Sequence, residues 1–184
     1  QSLVDFTDTY QETDNADLEP YFVKDNLIRS ATGELFWRAG KNKHDGQISI
    51  DTDGTQAFVG FLRGDTAELG NVTIQSPNKY AAIYVTAPEK NRTIGNSNRL
   101  LITTMGRTYN DGMKYFAGKM LNKGKKPLLV EPVQAEITFR QGTPRAVHVL
   151  DHDGVRTGET IQPQGNTIKL NGSQTQAVYY EVKM

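Results

Sequence analysis

The sequence predicts an all-β protein, an antiparallel β-sandwich of jelly-roll or immunoglobulin-like type with about ten strands. Three observations carry that prediction. Apolar residues recur with period two in short runs, Gly, Asn, Asp and Pro bound those runs, and helical periodicity is nearly absent. A period of two sends alternate side chains to opposite faces of a strand, so one face can be buried while the other meets water. The 17 glycines and 7 prolines are scattered, so no flexible linker divides the 184 residues. One domain over 1–184 is expected, long enough to bury a real core. Residues 1–29 read as a segment leading in from a preceding domain.

In chain order, "GQISID" alternates Ile48 and Ile50, and "QAFVGFL" carries Phe58, Val59, Phe61 and Leu62. "NVTIQ" alternates Val72 and Ile74, "YAAIYVTA" offers Ile83 and Val85, and "RLLITTM" is a buried run. After "KKPLLVEPV" come "AEITFR", "RAVHVLD", "NTIKL" and "QAVYYEVKM". Two stretches resist a strand assignment. One is "TYQETDNADLEPYF" near the start; its acids Glu12, Asp14 and Asp17 have no apolar partners and read as a solvated loop. The other is "YNDGMKYFAGKMLNKGKK" at 109–126, which could hold a short helix but whose glycines favour a long surface loop.

Charge narrows the partners. Lys+Arg and Asp+Glu are 21 each. A nucleic-acid binder ordinarily carries a basic excess, because phosphate neutralisation supplies most of its affinity, so no nucleic-acid partner is expected. No apolar run approaches the ~20 residues that span a bilayer, so no membrane partner is expected. There is no cysteine, which removes disulfides, thiolate chemistry and Cys-based zinc sites together. The start at Gln1, without methionine, is expected of a processed or excised piece.

The chain shows no G-x-S-x-G elbow, no H-E-x-x-H, no Walker loop and no Rossmann fingerprint, so no catalytic residue is assigned and an enzyme is not expected. The densest polar cluster is "AVHVLDHDGVRTGE" at 146–159. Asp-Gly is a hairpin signal, since the turn needs a positive φ that Gly supplies at no steric cost. Asp151 is expected to cap that turn, and His148 and His152 fall on a strand and a turn without a shared focus. "DTDG" at 51–54 reads the same way. Sandwiches do bridge loops with carboxylates, so Asp51, Asp53, Asp151 and Asp153 are the candidates for a structural calcium. No other cofactor is expected. Glu131, the one acid in an apolar run, is expected to bond to backbone or to an arginine at a strand end.

Six segments then come in a recognisable order: "SATGELFW" (30–37), "ISIDTDGTQAFVGFL" (48–62), "SNRLLITTMGRTYNDGM" (97–113), "GKKPLLVEPVQAEITF" (124–139), "VHVLDHDGVR" (147–156) and "VYYEV" (178–182). Over residues 30–184 the chain resembles the C-terminal β-sandwich that follows the (β/α)₈ barrel in many large bacterial glycoside hydrolases. The resemblance implies a non-catalytic accessory domain, linked covalently to a hydrolase that is secreted, periplasmic or on the bacterial cell surface. It implies either a carbohydrate-binding module for a plant or algal polysaccharide or a brace for the barrel. A self-standing polysaccharide-cleaving sandwich is the third alternative. The resemblance supplies no binding residues.

Those come from the chemistry of sugars. A pyranose presents an apolar C–H face and a hydroxyl rim, which a flat aromatic and nearby polar groups can hold together. Trp37, the one tryptophan, precedes a donor-rich loop, and Trp37, Arg38 and Asn42 form the first candidate group; alternatively, Trp37 closes the core. Tyr109, Asn110, Tyr115 and Phe116 form the second, read either as an exposed platform or as a loop tucked over the sandwich edge. Tyr10 and Tyr21 are further aromatics outside the strand runs. Phe58, Phe61 and Phe139 are expected in the core, and of Tyr179 and Tyr180 one must face out of the sheet.

Overall fold

The computed structural model describes residues 22–23, 26–41 and 45–184. Asn42, Tyr10, Tyr21 and the acids at 12, 14 and 17 lie outside the described residues. The first strands are β1 (Phe22–Val23), β2 (Leu27–Arg29), β3 (Leu35–Arg38), β4 (Gln47–Asp51), β5 (Thr55–Gly60) and β6 (Thr66–Glu68). Next come β7 (Val72–Gln75), β8 (Ala81–Thr86), β9 (Arg99–Met105), β10 (Thr108–Asp111), β11 (Lys114–Phe116) and β12 (Lys119–Asn122). The last are β13 (Lys125–Val130), β14 (Gln134–Phe139), β15 (Ala146–Leu150), β16 (Arg156–Ile161), β17 (Thr167–Asn171) and β18 (Tyr179–Lys183). One helical turn, α1 (Gly172–Thr175), is capped by the Asn171 side chain.

The fold is all-β and antiparallel, as the alternation predicts. Ten strands form one sheet in the order β1-β2-β3-β4-β5-β8-β9-β18-β15-β16, and four form a second in the order β17-β14-β7-β6. The alternation decides which side chains meet between them. In β8, Ala81, Ile83 and Val85 are buried while Ala82, Tyr84 and Thr86 are only partly so. Phe58, Ile83, Ile102, Tyr180 and Val149 of the large sheet share one buried cluster with Val72, Ile74, Ile137, Phe139 and Ile168 of the small one. Each such side chain contributes about 1.5–3 kcal/mol by leaving water.

A buried glutamine fastens the two sheets. Gln56 is 2% exposed; its carbonyl accepts from the backbone N–H groups of Asn71 and Val72, and its amide donates to Asp51. Tyr180 is fully buried beside a partly exposed Tyr179, as the adjacency requires. Phe58 and Phe139 are core residues. Phe61 is not; it lies beyond the end of β5, half-buried and edge-on to Tyr80.

The strand number exceeds ten because β1, β2, β3, β6 and β16 add to the strands read in the sequence, and so do β10, β11 and β12, since residues 109–126 are not a loop. They form most of two nested hairpins, β10 with β13 and β11 with β12, outside both large sheets. Glycines that read as loop residues serve here as turn residues. Ala117 and Gly118, the two residues joining β11 to β12, have φ of 47° and 77°, the signs a tight type I′ hairpin turn needs.

Candidate functional site: a basic aromatic arm

Residues 108–130 leave the sandwich as one ribbon. Its root is pinned where the two strands meet the body. Arg107 grips Glu131 with two hydrogen bonds, Nε to Oε2 at 2.7 Å and Nη2 to Oε1 at 3.1 Å, and Glu131 N–H donates to Arg107 O at 2.8 Å. This is the arginine partner expected for Glu131. The guanidinium holds the Glu131 carboxyl below the usual carboxylate range, and the carboxylate raises Arg107 in turn. Gly106 permits the approach, because a Cβ there would lie 2.2 Å from Glu131 O.

Along the arm nearly every side chain faces water; only Asn110, Met113 and Gly124 are half-buried. Tyr109, Tyr115 and Phe116 are 40%, 59% and 72% exposed, and none belongs to the core cluster. Leu121 and Leu128 are similarly open. The rings do not form one platform, however. Tyr115 pairs with Met120 and the adjacent Phe116 with Lys119, so the two rings stand on opposite faces of the ribbon. Asn110 is spent on the arm itself, its amide donating to Lys123 O at 2.9 Å.

The arm also carries charge that the formal neutrality of the chain conceals. Residues 1–25 hold seven acids and one lysine, so residues 26–184 carry +6. Of that, +4 lies on the arm: Lys114, Lys119, Lys123, Lys125 and Lys126 against Asp111 alone. All five lysines are exposed, and none joins an ion pair among the described residues. Lys119, Lys123, Lys125 and Lys126 are the part of the site that sequence reading missed; Lys114 is legible beside the three rings. The signal was the local charge density of "KGKK", averaged away in the whole-chain sum.

The first candidate group is divided by the pleat. Trp37 is 51% exposed and does not close the core. It stands in a cross-strand row, Ile28–Trp37–Ile48–Val59–Ala82–Met105, on the outer face of the large sheet. Ile48 and Met105 are 42% and 48% exposed, so this row is an aliphatic strip with one indole in it; the next row on the same face, Leu35–Ile50–Ala57–Tyr84–Thr103–Tyr179, carries two tyrosines and a threonine. Arg38 points to the other side of the sheet, where it lines a cavity of about 290 Å³ with Gln47, Ser49 and Asp51. Trp37 and Arg38 therefore cannot share one sugar.

The polar cluster at 146–159 is a capped turn. The Asp151 carboxylate accepts from Asp153 N–H (2.9 Å) and Val155 N–H (2.8 Å) between β15 and β16. The 51–54 turn differs: the Thr52 hydroxyl caps it by accepting from Thr55 N–H, Gly54 does not adopt a positive φ, and Asp51 Oδ1 instead accepts from Gln56 Nε2 and from Gly70 N–H. Among the described residues no three His, Asp or Glu side chains come together as a metal site, so Asp51 and Asp53, or Asp151 and Asp153, are at most pairs. A cavity of about 410 Å³ at the foot of the arm is lined by Glu131, His152 and Ser173 with Thr104 and Gln176. Its Glu131 is committed to Arg107, and no hydrogen bond joins His152 to Ser173. No helix among the described residues is long and apolar enough to cross a membrane. No family model matches the chain, and no curated protein or solved structure gives a significant match.

Proposed function

We propose that this chain is a non-catalytic accessory module of a glycoside hydrolase that holds polysaccharide on the 108–130 arm. One observation carries the reading. Three aromatic rings, Tyr109, Tyr115 and Phe116, stand in water on a ribbon that supplies nothing to the core. A protein keeps such rings exposed at a cost in solubility, and stacking against a sugar face is one use that repays it. Each ring would contribute about 1 kcal/mol, so the arm alone binds weakly and relies on the attached enzyme for avidity.

The brace reading has its own supporting observation, on a different surface. The Trp37 row is aliphatic, which suits packing against another protein domain better than holding a hydroxylated ring. The two readings, alternatives in the sequence, thus draw on separate faces of one module.

Affinity electrophoresis of the chain through gels containing xylan, mannan, β-glucan, galactan or carrageenan tests the first reading. Retardation by at least one polymer is expected, lost in Tyr115→Ala and kept in Trp37→Ala. Unaltered mobility in every gel, with no melting shift from oligosaccharides, overturns it and leaves the brace.

A further inference from the structure

We infer that the glycan held by the arm is anionic, its sugars carrying carboxylate or sulfate groups. This rests on the polysaccharide reading above and names the class of polymer. The argument is one of charge complementarity on a narrow element. Five exposed lysines and one aspartate lie within 23 residues, interleaved with the three rings. Lys119 pairs across the ribbon with Phe116, so the Phe116 ring has an ammonium beside it, while Lys114 and Tyr115, adjacent on one strand, face opposite ways. A sugar stacked on Phe116 would bring a ring substituent within reach of that ammonium. Lys125 faces Asp111 in the register, which leaves Lys114, Lys119, Lys123 and Lys126 without an acid opposite them. Neutral sugars would take only hydrogen bonds from these ammonium groups and would leave their mutual repulsion on the ribbon uncompensated.

Two other anionic partners fit less well. Phosphodiester readers lean on arginine, whose planar fork matches phosphate with two hydrogen bonds. The arm has no arginine, and Arg107 at its root is occupied by Glu131. A bilayer would have to accept the arm tip first, yet Lys119 adjoins the Ala117–Gly118 turn and would lead the insertion. Lysine's compact charge on a flexible stem suits carboxylates or sulfates that recur along a polymer without fixed orientation.

The test compares charged polymers with an uncharged counterpart at two salt concentrations. The chain is run by affinity electrophoresis against polygalacturonate, κ-carrageenan and desulfated κ-carrageenan, with phosphatidylserine vesicles and duplex DNA in parallel binding assays. Retention on polygalacturonate or on carrageenan is expected, the first reporting carboxylate and the second sulfate recognition. Binding should weaken about tenfold or more between low salt and 0.5 M NaCl, since exposed charges are then screened. The triple variant Lys119→Gln, Lys123→Gln, Lys126→Gln should lose that binding with an unchanged melting temperature. Equal retention on desulfated polymer by wild type and triple variant overturns the anionic assignment while keeping the polysaccharide reading. Failure on these three polymers with retention on a neutral polymer named above overturns the anionic assignment alone, and failure on all of them overturns both. Tighter binding to vesicles or DNA than to either charged glycan overturns the glycan as the occupant.

Discussion

Glu181 shows how single residues in this sandwich do structural work with groups that look functional. It sits on β18 between two arginines, 2.6 Å from Arg156 and 3.7 Å from Arg99, and its side chain is only 13% exposed. The Arg156 hydrogen bond holds its carboxyl below the usual carboxylate range, against the opposing push of burial. A carboxyl whose folded pKa is depressed stabilises the fold above its unfolded pKa. That contribution is lost as pH falls through the folded pKa. Glu131 is shifted in the same direction at the arm root. Urea melts from pH 7 down to pH 3 should therefore show falling stability on the acid side, with a shallower slope in Glu181→Gln. At pH 7 the variant should be less stable by about 1 kcal/mol or less, because both arginines are half in solvent and screened. An acid limb as steep as that of the wild type would show that other carboxyls carry it.

At the scale of elements, the arm marks the boundary of what the sequence made legible. The alternation in "YAAIYVTA" and "RLLITTM" was readable because each strand has one dry face, and β8 and β9 follow it residue by residue. The arm has no dry face, so no period-two signal could form, and its glycines looked like loop. Trp37 was legible as a candidate, but its separation from Arg38 depends on strand direction relative to a sheet that only the assembled fold defines. Gln56 was invisible for a related reason: its value lies in two N–H groups sixteen or fewer residues away that folding brings to it. The tip of the arm carries its own prediction. Ala117 occupies a positive φ of 47°, a conformation costing a residue with a Cβ about 1 kcal/mol, whereas Asn tolerates it. Ala117→Asn should therefore slow hydrogen exchange at the β11 and β12 amides severalfold without moving the global melting temperature. Exchange that is unchanged or faster would mean the turn gains nothing from that relief.

For the whole molecule, the arrangement of the two exposed surfaces matters more than either alone. The Trp37 row ends at Met105, and Gly106 and Arg107 follow directly as the root of the arm. A domain packed on the outer face of the large sheet would thus sit beside the arm root, so that docking and presentation of the arm would be coupled through the end of β9. Trp37 is the one tryptophan of the chain, which makes its fluorescence a clean report on that face. In the isolated chain its half-exposed indole should emit at long wavelength and be quenched readily by acrylamide. When the chain is joined to a preceding hydrolase barrel made tryptophan-free, the emission should shift to the blue and quenching should fall severalfold. Ile48→Lys, which places a charge directly across the strand pair from Trp37, should restore the open signal without unfolding the sandwich. A blue shift that grows with concentration in the isolated chain would assign the face to a second copy instead. Emission that stays red and quenchable in the joined polypeptide would remove the brace reading and leave the arm as the one surface with a proposed partner.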